Sequence, residues 1–532
     1  MKNRIIALFL IIVSLFSLAG CKKNFNYEKE DLSKYIKLSE SAYKNYTLNI
    51  DIAKPKDIEV DNQILQLLAS SKGAARYNGN EVISAFTVTP GATVKIWYRG
   101  YILDNDGKEL EVSGMCNFAG SSASALTIGS GSFIPGFELG LVGKNTGDYS
   151  KFVKITDSST VITESHVVYV SYTKTLADST QTTKGSTVRI ELSSDVDAKY
   201  GVGFKEQVLS AKIGESKSFS AVIDGETYEY TDFVINFATD CENNPIVVKS
   251  YFHYDYTTTN LRNETAYFEV YVESGVLYEV PEFNDDFVKT TVEKSTSAIT
   301  LSALEKYDGA SLTDKYRAYL QEQIDKAYEE EYESAVTSAI WNRILESAEV
   351  IEYPTKEVDR VYTNYVNNIV DEYSRSGGQI QNSYTGEYES YSSFDTYALA
   401  YLGISSTTTD WQTYLYSACQ GLVKESLVLY YIINTENVKP EKAEFEKLVE
   451  ATKKDHLDKY VSRYLEYEGK TREDLSDSEY ESFVKAREKE LLKYYEESYF
   501  EETTLYNLAM DNMMSWAKIS TLDERRAYPV DK

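Results

Sequence analysis

The constraint that dominates this chain is a change of hydrophobic period at Pro281. Before it, apolar and β-branched residues come in short alternating runs, at Ala92–Ile102, Val167–Tyr172, Thr187–Leu192 and Tyr267–Val272. Turn sequences such as Asn105-Asp106-Gly107 lie between them, which is the pattern of half-buried strands. After it, apolar residues recur every three or four positions: Ile324, Tyr328, Tyr332, Val336, Ile340 and Ile344, then Phe445, Leu448, Val449, Leu457, Tyr460, Val461 and Tyr464. That spacing puts each set on one face of a helix. Pro354 separates the first helical run from the next, Pro440 stands where a helix can start, and Ser476 with Glu479 has the spacing of a capping box. Residues 374–393 are rich in Ser, Gly, Tyr, Asn and Gln without helical period and read as a loop. The fold class that follows is α+β, with β domains first and a long all-α segment after. A length of 532 residues gives room for about three or four domains.

Charge divides at the same place. Residues 281–532 hold 49 acidic and 28 basic side chains, a net of -21, so -7 of the total -28 is left for residues 1–280. An excess of that sign argues against nucleic-acid binding, which needs clustered Lys and Arg to neutralise phosphates. Four Cys and three His in the whole chain rule out a disulfide framework and leave little room for a His-based metal site. No cofactor is expected. The chain carries 46 Tyr against 20 Phe. A phenol combines an apolar face with a polar tip, so Tyr can stand on a wet surface and still grip apolar material.

Residues 1–20 read as an export signal, with Lys2 and Arg4, an apolar run from Ile5 to Phe16, and small residues before Cys21. The apolar run is too short for a stable membrane span. The ending Leu18-Ala19-Gly20-Cys21 resembles a bacterial lipoprotein lipobox, which implies cleavage before Cys21 and lipidation of its sulfur. Two acyl chains, at about 0.8 kcal/mol per buried methylene, would hold the protein on a membrane durably. The rest is expected to be soluble and extracytoplasmic. Cys116, Cys241 and Cys419 are an odd set and read as buried or free thiols.

An internal echo runs through the β-rich half. Phe133 to Asp148, continuing to Phe152, is answered 67 residues later by Val202 to Glu215, continuing to Phe219. Gly136-Phe137 meets Gly203-Phe204, Gly147-Asp148 meets Gly214-Glu215, and Val94–Tyr98 has a looser echo in Val168–Tyr172. The set reads as two related β domains, the second degenerate; one domain with a long insertion would also carry it.

The segments Val94–Leu110 and Leu126–Glu138, the latter containing Ile128-Gly-Ser-Gly-Ser-Phe-Ile-Pro-Gly-Phe-Glu138, resemble the FKBP-type prolyl isomerases in the version found in trigger factor, the bacterial folding chaperone. Pro281–Val288 is similar to the exit from that isomerase domain, and Tyr35–Leu68 to the connector before it. Ala348–Pro354, Gly421–Leu429 and Leu505–Ile519 resemble pieces of the helical substrate-binding domain. With the export signal at 1–20 and the internal echo, the resemblance implies a linker and connector at 21–80, an antiparallel half-barrel isomerase domain at 81–175, a degenerate second copy at 176–280 and an extended helical chaperone domain at 281–532. Nothing like the family's Gly/Arg/Lys ribosome-binding loop precedes Tyr35, so a membrane tether on Cys21 is expected in place of a ribosome tether.

Such an isomerase needs no nucleophile, metal or cofactor. The barrier to turning an X-Pro bond is about 20 kcal/mol and comes from amide resonance, which weakens when the amide is desolvated and twisted. The site must supply an apolar trough for the proline ring and donors for the twisted carbonyl. By position against the family motif, Phe137 would be the floor, Phe133 and Ile134 the wall with Ile134 N–H as donor, and Tyr98 a hydroxyl at the rim. Leu110 and Glu111 stand where the family has Phe and Asp, and Phe118 is a candidate replacement for the aromatic side lost at Leu110. Apolar residues near a strand end are by default core, and only the surrounding motif argues for a pocket here. In the second copy Tyr200-Gly-Val replaces the Ile-Pro element, which favours a structural or peptide-contacting role.

Tyr328, Tyr332, Tyr353, Tyr362, Tyr365, Tyr494, Tyr495 and Tyr499 line helical faces among carboxylates, a composition suited to holding unfolded chains weakly while staying soluble. The expected function is a membrane-anchored extracytoplasmic folding factor, a prolyl isomerase with chaperone activity on unfolded or nascent exported polypeptides. A holdase that uses the isomerase fold only to bind peptide, and a surface lipoprotein that binds a ligand, are the competing classes. Mass spectrometry of the membrane fraction should find the chain beginning at a diacylglyceryl-modified Cys21, and Cys21→Ser should abolish that mass and release the protein from membranes.

Overall fold

The computed structural model describes residues 25–76, 82–104, 107–177, 179, 182–240, 243–294, 299–381, 386–404, 410–470, 472–495 and 497–527. The export segment, Cys21 and Cys241 lie outside them. The described residues divide into two compact units, one within 52–294 and 300–328, the other within 25–51 and 329–527, with 299. The class is mixed, with β-sheet domains followed by a helical region.

In the first unit the order is α1 (Ile58–Ser70), β1 (Thr93–Leu103), β2 (Glu109–Cys116), β3 (Ser124–Thr127), α2 (Phe137–Leu141), β4 (His166–Leu176), β5 (Thr182–Glu191), α3 (Val196–Tyr200), α4 (Phe204–Leu209), β6 (Ser216–Ile223), β7 (Glu226–Asp240), β8 (Ile246–Tyr251) and β9 (Thr265–Val276). One antiparallel sheet runs β8-β9-β1-β2, with β3 also pairing with β1. The other runs β6-β7-β4-β5, again antiparallel throughout. The two orders coincide when β8, β9, β1 and β2 are matched to β6, β7, β4 and β5. Each copy also has a short helix that opens on a left-handed glycine followed by a fully buried Phe: Gly136 (φ 91°) with Phe137, and Gly203 (φ 89°) with Phe204. The sequence echo is therefore a repeated topology, with the second copy nested inside the first between α2 and β8.

The stems of the insertion meet where Ser150 N–H donates to Asn244 O and Asn244 N–H to Ser150 Oγ, both at 2.9 Å. This corrects a division at 175/176. The first sheet takes its last two strands from residues 246–276, and the second takes its first strand from 166–176. Without β9, central strand β1 would leave an open edge, and alternation along one strand says nothing about which strand covers it.

Helix α1 buries Val60, Ile64, Leu65 and Ala69, and Leu65 joins the first sheet's core with Val94, Ile96, Phe137, Val248, Phe268 and Val270. The second copy has its own core around Val168, Ile190, Phe204, Phe233 and Ile235.

The helical unit contains Thr355–Ser376, Trp411–Glu436, Lys442–Tyr467, Asp477–Tyr494 and Glu497–Trp516, with the C-terminal part of Leu312–Ser347 burying Val336, Ile340 and Ile344 as the spacing predicts. Ser476 and Glu479 form the capping box. Residues 374–393 are not wholly loop: the helix runs to Ser376, ends on Gly377 at φ 65°, and Gln379–Gln381 pairs with Tyr388–Ser390. Segment 21–80 is likewise not a single connector. Ile36–Lys37 pairs with Glu349–Val350, and Thr47–Ile50 lies parallel to Lys518–Thr521. Tyr27 stacks on Tyr430 at 5.1 Å and Tyr43 Oη donates to Glu436 at 2.8 Å. The described residues up to 51 thus complete the helical unit, and only α1 belongs with the isomerase-like sheet.

Away from the two sheet cores, Trp97, Phe118 and Tyr271 of the first copy meet Val167, Tyr169 and Phe237 of the second, with Phe152 packed against them. Phe118 stacks on Phe152 at 4.3 Å and Tyr169 on Phe237 at 4.4 Å. This aromatic seam is what fixes one copy against the other. Phe118→Ala should cost about 3–5 kcal/mol of stability, seen as a lower denaturant midpoint, because the ring is buried on all sides.

Candidate active site

The loop Gly129–Gly136 is built around one carboxylate. Glu138, buried at the start of α2, accepts from Gly129 N (2.6 Å), Ser132 N (2.9 Å), Ser130 Oγ (3.1 Å), Gly131 N (3.3 Å) and Phe133 N (3.3 Å). A charged acceptor serving several backbone donors fixes a loop that has no ladder of its own. Helix α1 presses on the other side. A side chain at Gly129 would stand 2.4 Å from Ala69 Cβ and 2.8 Å from Leu65 O, so only glycine permits this approach. Asn62 Oδ1 accepts from Gly136 N at 3.3 Å, and Pro135 O accepts from Tyr251 N at 2.9 Å.

The loop delivers Phe133 and Phe137 to the sheet face carrying Tyr98. Phe133 stacks on Phe137 at 4.0 Å, with planes 12° apart, and Tyr98 meets Phe133 edge-on at 4.9 Å. Phe268 of β9 packs its ring edge-on against Phe137 at 4.7 Å. It was not among the candidates from sequence. Its only signal was alternation in Tyr267–Val272, which does not say that β9 lies beside β1. Burial raises the Tyr98 phenol above its ordinary value, with a further push from Cys116. Ile134 N–H and the Tyr98 hydroxyl make no hydrogen bond among the described residues.

Four candidate residues therefore converge: Tyr98, Phe133, Ile134 and Phe137. Phe137 is not an open floor, since Phe133 covers one face and Phe268 abuts it, leaving it with no exposure. Leu110 is 47% exposed and Glu111 pairs across the sheet with Tyr101, on the face opposite Tyr98. There Glu111 lies 3.5 Å from Arg99, which also meets Glu269 at 3.1 Å and pairs with Glu109. Burial alone would lower the Arg99 pKa, but Glu269, Glu109 and Glu111 outweigh it and raise it. Phe118 sits in the seam with Phe152 and not at the pocket, because Asn117 bonds Tyr98 N and Ile96 O and so turns the next residue to the Trp97 face.

Between α1 and the loop is a cleft of about 450 Å³. Phe133, Ile134, Pro135 and Leu65 give it an apolar side, and Glu59, Asn62, Gln63, Gln66 and His253 a polar one. An apolar wall beside unpartnered donors is what a twisted X-Pro amide requires.

Residues 85–156 match the FKBP-type peptidyl-prolyl cis-trans isomerase family, and residues 313–398 match the C-terminus of the bacterial trigger factor protein. The chain is trigger-factor-like. A solved structure of the trigger factor chaperone, described for promiscuous substrate recognition in folding and assembly activities, is similar at 11% identity, covering 90% of this chain and 72% of that one, with a TM-score of 0.26. That score is too low to establish a shared arrangement. No curated protein matches.

The trigger-factor-like chain repeats the aromatic arrangement in its nested copy. Tyr200 stacks on Phe204 at 4.9 Å as Phe133 does on Phe137. There Tyr230 Oη donates to Tyr200 O at 2.8 Å and is itself fully buried, which seals the cluster. In the helical unit, Tyr499 is buried and bonded to His456 Nε2 at 3.2 Å, while Tyr332, Tyr353, Tyr362, Tyr365 and Tyr495 are half-buried, as is Tyr328 at the end of the first unit. The side chain of Tyr494 lies outside the described residues. The open rings are elsewhere, at Tyr388, Tyr401, Tyr414 and Tyr467.

Glu138→Ala should destabilise the protein by about 2–4 kcal/mol, since it strands several backbone donors, and hydrogen exchange should show Gly129 and Ser132 amides losing protection before the sheet does.

Proposed function

We propose that this chain is a lipid-anchored, extracytoplasmic folding factor that isomerises X-Pro bonds and holds unfolded exported polypeptides. The observation that carries the isomerase reading is that Phe133 and Ile134 of the loop beside the cleft meet Phe137 of α2 and Tyr98 of β1 within the segment that matches the isomerase family. In this reading the proline ring enters against Phe133 and Ile134, and Phe133 turns aside to admit it to Phe137. The Ile134 N–H receives the carbonyl as it leaves the amide plane, and burial away from water lowers the charge-separated resonance form that makes the bond stiff. No proton or covalent bond moves. The lipobox at Leu18–Cys21 supports the anchor, and the trigger factor match with open Tyr rings supports client holding.

A second reading, a holdase whose sheet only binds peptide, is favoured by the covered floor and by Leu110 and Glu111 lying away from it. The two separate by experiment. The purified chain should accelerate cis/trans exchange in a short X-Pro peptide, and Phe137→Leu, which keeps an apolar core residue, should reduce that rate about tenfold or more. A flat rate for the unmutated chain together with suppressed aggregation of a denatured client leaves the holdase. Replacing Tyr401, Tyr414 and Tyr467 together by Ser should weaken suppression without changing the isomerisation rate.

A further inference from the structure

The cleft carries groups that the aromatic cluster does not use. Its helical wall presents Glu59, Asn62, Gln63 and Gln66, spaced three and four apart on one face of α1. Among the described residues the Gln63 and Gln66 amides have no hydrogen-bond partner, and neither has the Ile134 N–H on the facing loop. Amide side chains can donate to and accept from a peptide backbone, so three free groups lie around one cavity.

Charge narrows the ligand. The lining holds two carboxylates, Glu59 and Glu138, and no Lys or Arg. Glu138 is fully engaged by the loop. Among the described residues Glu59 has only His253 Nε2 at 3.7 Å, beyond hydrogen-bond range, and the other nitrogen of that ring pairs with Asp255. One imidazole is thus shared between two carboxylates. Burial raises the Glu59 pKa from its ordinary value, His253 opposes this, and Asp255 adds to it. A half-enclosed carboxylate with slack pairing gains from a cation brought into contact.

We propose that this cleft is the subsite for the residue next to proline, with the α1 amides holding the peptide backbone and Glu59 selecting a Lys or Arg side chain. The inference rests on the isomerase reading above and deepens it. It also assigns selectivity to α1 and His253, both outside the segment 85–156 that matches the isomerase family.

The test is a peptide series with Lys, Leu or Glu before proline, turned over by the full chain. The unmutated chain should favour Lys over Glu in kcat/KM by about tenfold, Glu59→Gln should bring that ratio near one, and Gln66→Ala should lower all three rates together. Retention of the full Lys-over-Glu ratio in Glu59→Gln, or a preference for Glu or Leu in the unmutated chain, overturns the subsite. If no peptide is turned over, the isomerase reading fails by itself. Fluorescence anisotropy with the same peptides then decides the subsite: a Lys-over-Glu affinity ratio abolished by Glu59→Gln upholds it, and equal or no binding overturns it.

Discussion

The isomerase-like site depends on the Glu138 carboxylate. Five donors from Gly129 to Phe133 converge on it, and the loop they belong to has no strand partner that would otherwise hold it. Because those bonds are charge-assisted and partly buried, they set the loop's path tightly enough to stack Phe133 on Phe137 and to bring Ile134 to a cleft. Helix α1 closes the other side, and the glycine at 129 is what lets it come so near. The glycines of this segment therefore serve packing as much as turning.

Nesting one copy of the fold in another has a mechanical consequence. A strand order that recurs in both sheets lets the inserted copy keep its own core while its two stems meet at Ser150 and Asn244. The Phe118, Phe152, Tyr169 and Phe237 seam then fixes the two copies by ring packing. Divergence shows in what fills the aromatic cluster: among the described residues the outer copy leaves Ile134 N–H without a partner, whereas in the inner copy the equivalent Gly201 N–H donates to Asp197 O at 2.9 Å and a buried Tyr230 hydroxyl takes the Tyr200 carbonyl.

Much of the site was legible because its residues are adjacent in sequence. Phe133, Ile134 and Phe137 lie within five positions of one motif, whereas Glu138 beside them, the carboxylate that holds the loop, was not among the candidates from sequence. Leu110, Glu111 and Phe118 were misplaced for a different reason. The β1–β2 register breaks between Arg99 and Tyr101 and sets Glu111 opposite Tyr101 beside Arg99, Leu110 stands exposed on the edge strand, and the Asn117 bonds turn Phe118 into the seam. Phe268, Asn62 and His253 were missed because they reach the site from a strand, a helix and a loop far away in the chain.

The sequence by itself determined the change from strand to helix at Pro281, the capping box, the internal echo and the loop motif, all properties of neighbouring residues or of spacing. It also placed most of the negative charge in the helical half. Tertiary structure alone decided that β9 pairs with β1, that the second copy is inserted, that residues 25–51 complete the helical unit, and that Phe133 lies over Phe137. Those are choices of partner between distant segments, and the energy that makes them comes from burying whole faces together, which no local pattern encodes.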